Sequence, residues 1–356
     1  MTEQINGNII EQGNEQTEKK YNKKVILPDA DTVSDAENYE DLRVFDQFGQ
    51  TVMLKTSQRE EFRREVQDAD AILLNKVKIN RETLGDNPSV KFIGLFATGY
   101  NVIDLDYCNE HGITVCNVPT YSSNAVAQHT FAFILEHFSK TSKYNDFVHE
   151  GGWVNSGTFA PFVFQTNELA GKTIGLLGYG KIGHQVAKIA KAFGMDVLVY
   201  TRSFARAKEQ NNNTDLEGFI DRAEREVTYV TLDNLFKHSD IVSIHCPLNP
   251  ESEGLINKET ISKMRDGAFL VNTSRGPIIN EQDLAEALKS GKLSGAGIDV
   301  LGTEPMRADC VLLDAPNCII TPHVAWCPVE TRKRLIKEVV KNYEAFLKGR
   351  PINTVN

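Results

Sequence analysis

The chain has 356 residues, of which 41% are hydrophobic. At roughly 100–200 residues per domain this suggests two domains with sizeable cores, and it rules out a chain disordered throughout. The net charge is −9, and the longest basic cluster is Lys19, Lys20, Lys23 and Lys24, which argues against a general nucleic-acid or anionic-membrane binder. The six cysteines (Cys108, Cys116, Cys246, Cys310, Cys318 and Cys327) form no C-x-x-C pair, so neither a zinc site nor a disulfide scaffold is expected. Met1-Thr2-Glu3-Gln4 lacks the apolar core of a signal peptide, and no apolar run approaches the roughly 20 residues that span a bilayer. A reduced, soluble, cytoplasmic protein is the expectation.

Residues 1–22 are rich in Asn, Gln and Glu and read as a flexible tail. Order begins at Val25-Ile26-Leu27. Further apolar runs follow at Ala71–Leu74, Phe92–Phe96 and Thr114–Cys116, with helix-like segments at Ser57–Asp68 and Asp104–His111. Short buried strands alternating with helices imply a parallel sheet covered on both faces. Ser122–Lys143 repeats apolar residues at near-helical spacing. A second series of strands then runs through Thr173–Leu177, Val197–Tyr200, Ile241–Ile244, Ala268–Val271 and Gly297–Val300. Residues 203–226 are charged and contain Asn211-Asn212-Asn213, which reads as a surface insertion with a short polar helix. The amphipathic stretch Glu330–Lys348 closes the chain and needs a core to pack against.

Gly178-Tyr179-Gly180-Lys181-Ile182-Gly183 directly follows a strand and opens a helix running to Phe193. A G-x-G-x-x-G alone is weak; in a strand–turn–helix–strand context it reads as a dinucleotide fingerprint. The first glycine permits the tight turn, the second lets a pyrophosphate approach, and the third lets helix and strand pack. NAD sites usually carry Asp or Glu about 20 residues further on, to accept from the ribose 2′-hydroxyl. Thr201, Arg202 and Ser203 stand there instead. An Arg beside two hydroxyls suits a 2′-phosphate and favours NADP; the alternative is that Arg202 stacks on adenine, which leaves NAD open.

Three later segments follow successive strands: Asn272–Gly276, Asp299–Pro305 and Thr321–Trp326. Ligands of a doubly wound sheet bind beyond the carboxyl ends of its strands, so Arg275, Glu304 and His323 are expected to converge there. Singly, each has a structural explanation: a surface charge, a helix-start carboxylate, a hydrogen-bonded turn residue. Together, downstream of a cofactor fingerprint, they point to chemistry.

These segments, with Ala97–Asp104, Val115–Pro119, Ser123–Gln128 and His245-Cys246-Pro247-Leu248, resemble the D-specific 2-hydroxyacid dehydrogenases over about residues 25–350. Within that family the resemblance is to the glycerate dehydrogenase/hydroxypyruvate reductase group. It implies an α/β fold of two doubly wound parallel-sheet domains. A Rossmann cofactor domain, 120–324, would be inserted into a discontinuous flavodoxin-like substrate domain, 23–119 with 325–356. A homodimer built partly on the helix after Ser122 is implied as well.

By residue type, His323 would give a proton to the keto oxygen, Glu304 would stabilise and orient its charged ring, and Arg275 would hold the substrate carboxylate and polarise the carbonyl. The resemblance adds Thr98, Gly99 and Tyr100 to the substrate contacts, with Asn75, Lys76 and Trp326. It adds Cys246, Pro247, Thr273, Ser274 and Asp299 to the cofactor contacts. The expected reaction is reduction of hydroxypyruvate or glyoxylate by NAD(P)H, and its reverse. A bulkier 2-keto acid, or a non-catalytic NAD(P)-sensing corepressor on the same fold, is the alternative.

Overall fold

The computed structural model describes residues 21–86, 88–204, 219–220 and 227–356. The tail expected over 1–22 therefore lies outside the described residues apart from Tyr21 and Asn22. The insertion expected over 203–226 lies outside them apart from Ser203, Phe204 and 219–220. The chain forms two compact units, Met1–Tyr121 with Arg332–Asn356, and Ser122–Thr331.

The first unit is a five-stranded parallel sheet of β1 (Lys23–Leu27), β2 (Gly49–Met53), β3 (Ala71–Leu74), β4 (Phe92–Leu95) and β5 (Thr114–Cys116), in the order β2-β1-β3-β4-β5. Three of these strands end in fully buried runs, as strands covered on both faces require. Helices α1 (Arg59–Glu65), α2 (Arg81–Leu84) and α3 (Leu105–Glu110) connect them. Asp104 caps α3 by accepting the Tyr107 amide at 3.0 Å. The final helix supplies the rest of this core: Tyr343 lies 4.9 Å from Phe92 and 4.8 Å from Phe48 between ring centroids.

The second unit opens with α4 (Ser123–Ser139), α5 (Thr141–His149) and α6 (Gly152–Asn155). Its sheet contains β6 (Thr173–Leu177), β7 (Asp196–Tyr200), β8 (Phe219–Ile220), β9 (Thr228–Tyr229), β10 (Ile241–Ile244), β11 (Ala268–Asn272), β12 (Leu293–Ile298) and β13 (Cys318–Ile320). The order is β13-β12-β11-β10-β6-β7-β9-β8, parallel except for β8 against β9. Helices α7 (Lys181–Ala192), α8 (Leu232–His238), α9 (Lys258–Lys263) and α10 (Glu281–Lys289) link the strands, and α11 spans Val329–Leu347. Both units are thus α/β with parallel sheets.

Two expectations need correction. The strand expected at Gly297–Val300 is β12, which starts four residues earlier, at Leu293, and ends at Ile298, so Asp299 lies beyond its end. Ser294-Gly295-Ala296-Gly297 carries no apolar run, because its small residues leave room for α4: a Cβ on Gly297 would sit 2.5 Å from Phe133 Cγ. The long helix over Ser122–Lys143 is broken at Lys140, whose φ of 55° ends α4 before α5 begins.

Two histidines are built into the second core. His137 stacks on Phe269 at 4.2 Å with Nε2 3.0 Å from Ser294 Oγ, and His245 Nε2 lies 2.9 Å from Ser243 Oγ. Burial pushes both rings down to about 4. An unfolded histidine titrates near about 6.5, so between there and about 4 the unfolded chain takes up protons that the folded chain refuses. Stability is therefore complete above that window and lost as pH falls through it. The melting temperature should drop between about pH 7 and about pH 5, and His245→Asn should flatten the drop. A melting temperature indifferent to pH over that range would contradict the assignment.

Candidate active site

The fingerprint occupies the point where the strand order reverses. β7 flanks β6 on one side and β10 on the other, so the connections leave on opposite faces and open a crevice at the carboxyl ends of β6 and β10. Gly178, at φ 100°, packs so closely on β10's exit that a Cβ would meet Cys246 N at 2.7 Å. A Cβ on Gly183 would meet Gly178 O at 2.6 Å, whereas one on Gly180 would meet nothing within 4 Å. The turn is closed toward the sheet and open at Gly180, where α7 begins. Lys181 and Ile182 are the first residues of that helix. These residues fit a dinucleotide pyrophosphate. Tyr179 stacks on His184 at 3.8 Å, and His184 Nδ1 lies 2.8 Å from Gly180 O.

Cys246 and Pro247 leave β10 beside this turn, and Ser274 Oγ donates to Cys246 O at 2.5 Å. Thr273 Oγ1 lies 3.3 Å from Thr130 Oγ1. At the end of β7, Thr201 Oγ1 and Ser203 Oγ are 3.1 Å apart. Arg202 Nη1 donates to Glu251 Oε2 at 2.5 Å, in a solvent-exposed pair.

The parallel pairing of β11, β12 and β13 releases the other three turns on the same sheet edge. Buried Asn272 organises the first: its Oδ1 accepts from Ser274 N at 3.0 Å and its Nδ2 donates to Arg275 O at 2.9 Å. Arg275 Nη1 donates to Ser274 O at 2.7 Å, which fixes one edge of the guanidinium. Gly276 then abuts the second turn; a Cβ there would lie 1.9 Å from Leu301 C, so only glycine fits.

The second turn carries Glu304, whose Oε1 accepts the Leu301 amide at 3.0 Å. Its Oε2 lies 2.7 Å from Nδ1 of His323 in the third turn. His323 is held at φ 56° by its own amide, which donates to Asp299 O at 2.8 Å. The buried Asp299 carboxylate accepts from the Thr321 hydroxyl at 2.6 Å and the amides of Val324 and Ala325 at 2.9 and 3.0 Å. Trp326 follows and is half-buried. The second unit therefore brings Glu304 and His323 into contact, with the turn of Arg275 braced by Asn272 and that of His323 by Asp299.

The remaining candidates belong to the first unit. Thr98 Oγ1 donates to Val118 O at 2.8 Å, its carbonyl accepts from Asn117 Nδ2 at 2.7 Å, and Tyr100 is exposed just beyond Gly99. The Asn75–Val77 turn is tied to a buried carboxylate. Asp29 accepts the amides of Asn75, Lys76 and Val77 at 3.1, 2.5 and 2.9 Å. Burial pushes the Asp29 carboxyl up, and the three amides pull against it. Asn75 Nδ2 donates to Thr32 Oγ1 at 3.1 Å.

Sequence reasoning missed Asn272, Asp29, Glu251 and Glu281, which accepts the Gly302 amide at 2.7 Å. All four act through partners distant in sequence or through a local turn; Asn272 opens the Asn272–Gly276 segment but was given no role there, and the other three sit in no motif. Among the described residues no group of three or more His, Cys, Asp or Glu could hold a metal ion, and no helix is long and apolar enough to cross a membrane.

Residues 131–325 match the family model of the D-isomer specific 2-hydroxyacid dehydrogenase, NAD binding domain. The hydroxypyruvate reductase of Blautia hydrogenotrophica is 45% identical over 297 residues, covering 83% of this chain and 88% of its own. Among solved structures, the D-lactate dehydrogenase of Aquifex aeolicus, complexed with NAD and lactic acid, is 31% identical at a TM-score of 0.74, covering 92% of this chain and 96% of its own. An NADPH-dependent glyoxylate/hydroxypyruvate reductase of Sinorhizobium meliloti, in complex with NADP and malonate, is 25% identical at a TM-score of 0.76, with 94% and 96% covered. By the family model over residues 131–325 and by the Blautia hydrogenotrophica relative, the chain belongs to the D-isomer specific 2-hydroxyacid dehydrogenases.

Proposed function

We propose that the chain reduces a small 2-keto acid, hydroxypyruvate or glyoxylate, to the D-2-hydroxy acid, and runs the reverse. The observation that carries this reading is the 2.7 Å contact between His323 Nδ1 and Glu304 Oε2. With Nδ1–H given to the carboxylate, Nε2 is the ring nitrogen that delivers a proton to the keto oxygen. The carboxylate fixes the orientation of the ring. Arg275, one edge tied to Ser274 O, turns its remaining N–H groups to the substrate carboxylate and the carbonyl oxygen. A bound nicotinamide supplies the hydride.

Asp299 Oδ2, which accepts the Ala325 amide, keeps acceptor capacity for the nicotinamide carboxamide. We read Met1–Tyr121 with Arg332–Asn356 as the substrate unit, its Thr98, Gly99, Tyr100, Asn75 and Lys76 assigned to substrate binding, and Ser122–Thr331 as the cofactor unit. Trp326 is assigned to shielding the hydride from water.

The assay is the loss of reduced-cofactor absorbance on adding hydroxypyruvate or glyoxylate. Glu304→Gln removes the carboxylate charge that faces the proton-donating ring and should lower kcat at least about tenfold. Normal turnover in that variant would uncouple Glu304 from His323.

NADPH is the proposed cofactor, on the strength of Thr201, Arg202 and Ser203. Glu251 opposes it by holding Arg202, but an exposed, solvent-screened ion pair is weaker than charge-assisted bonds to a phosphate. The KM for NADPH should lie below that for NADH, and Thr201→Asp with Arg202→Ala should reverse the order. Equal or better use of NADH by the parent would sink the NADP assignment and leave the proton-transfer pair standing.

A homodimer is proposed from Val154, Phe159 and Phe162, which are 89%, 93% and 93% exposed beyond α5. Large apolar side chains so displayed in one short segment mark an association surface. Light scattering should give twice the chain mass, and Phe159→Glu with Phe162→Glu should halve it; a monomeric parent would contradict the reading.

A further inference from the structure

His129 lies on α4, outside every motif that points to the reaction, yet its ring reaches the turn that carries His323. Its Nε2 is 3.0 Å from Thr321 Oγ1 and 3.6 Å from Asp299 Oδ1. Phe133, one helical turn on, meets the ring edge-on at 4.7 Å and restricts its orientation. The Thr321 hydroxyl is 2.6 Å from Asp299 Oδ1, and Asp299 is itself fully buried.

Proton counting fixes the direction of this chain. A hydroxyl has one proton, and at 2.6 Å from a carboxylate, which has none, that proton is donated to Asp299. Thr321 Oγ1 must then accept from His129, so Nε2 carries a hydrogen. The chain reads His129 Nε2–H to Thr321 hydroxyl to Asp299 carboxylate, and each link polarises the next. Asp299 passes the constraint on by accepting the amides of Val324 and Ala325, while its own carbonyl accepts the amide of His323. His323 has φ 56°, a conformation that a non-glycine residue keeps only when its surroundings hold it there.

We propose that His129 is a positioning residue for the proton donor, acting through Thr321 and Asp299 to hold the turn that presents His323. The inference rests on the reading of His323 as that donor. It assigns His129 no contact with substrate or cofactor; its effect is on the placement of the ring already paired with Glu304.

The test is steady-state reduction of hydroxypyruvate by His129→Leu, His129→Gln, Thr321→Val and the double variant His129→Leu/Thr321→Val. Small misplacements of a reacting group are costly, so His129→Leu should lower kcat about tenfold and leave the cofactor KM within about twofold. Glutamine places an amide N–H where Nε2–H stood, and His129→Gln should recover kcat to within about threefold of the parent. Because His129 acts through the Thr321 hydroxyl, the double variant should be no worse than Thr321→Val alone.

A His129→Leu kcat within twofold of the parent, equal losses in the Leu and Gln variants, or additive losses in the double variant would each overturn the proposal. Should the Leu variant fail to fold, Thr321→Ser against Thr321→Val decides: Ser keeps the hydroxyl and should keep kcat, and equal rates would overturn it. Glu304→Gln run alongside separates the two failures. If its turnover is normal, the reading of His323 falls and this inference with it. If its turnover falls while His129→Leu is normal, this inference alone falls.

Discussion

The parallel ladder through β11, β12 and β13 ends three neighbouring strands on one edge of a sheet, and the chemistry of the second unit depends on that constraint. Parallel strands cannot be joined by tight hairpins, so each exit is a long connection whose first residues are free to specialise. The turn after β11 carries Arg275, that after β12 carries Glu304, and that after β13 carries His323. None of these side chains is placed by its own strand. Buried polar groups at the strand ends organise two of these turns, Asn272 bridging the first and Asp299 bracing the third, while in the second the Glu304 carboxylate itself accepts the Leu301 amide. Gly276 lets the first turn press against the second without a side chain between them.

Electrostatics then divides the labour. Asp299 is buried and accepts from a hydroxyl and two amides, which braces the turn that carries His323. Glu304, about a third exposed, has one oxygen on a backbone amide and the other on His323. That carboxylate is fixed at one end and can stabilise a charge that appears at the other, which is what proton transfer requires. At the opposite end of the crevice the glycine turn works by subtraction, closed against β10 and open above Gly180.

Much of this was legible in the sequence because it rests on local signals. Val25–Leu27, Ala71–Leu74 and Ile241–Ile244 are apolar runs of strand length, and each lies in a strand of the structure. The fingerprint needed only a strand before it and a helix after it, and has both. What was not legible depends on partners far away in the chain. β2 is an edge strand with Gln50 and Thr51 in it, so it shows no apolar run. β12 is built of small residues because Phe133 and His137 occupy the space above Gly297 and Gly295. The pairing of Arg202 with Glu251, and the grip of Asp29 on Asn75–Val77, join residues with no periodicity or motif to link them. Sequence marks the groups that carry chemistry more readily than those that hold them still.

The central claim is that the ring of His323, held by Glu304, delivers the proton that accompanies hydride transfer. The most direct measurement is single-turnover oxidation of the bound reduced nicotinamide cofactor by hydroxypyruvate in His323→Asn, with cofactor affinity measured by fluorescence on the same sample. The account predicts a transfer rate reduced at least about 100-fold with cofactor affinity within about threefold of the parent, since the ring touches the reacting oxygen and not the dinucleotide cradle. Single-turnover transfer at the parental rate in that variant would contradict it.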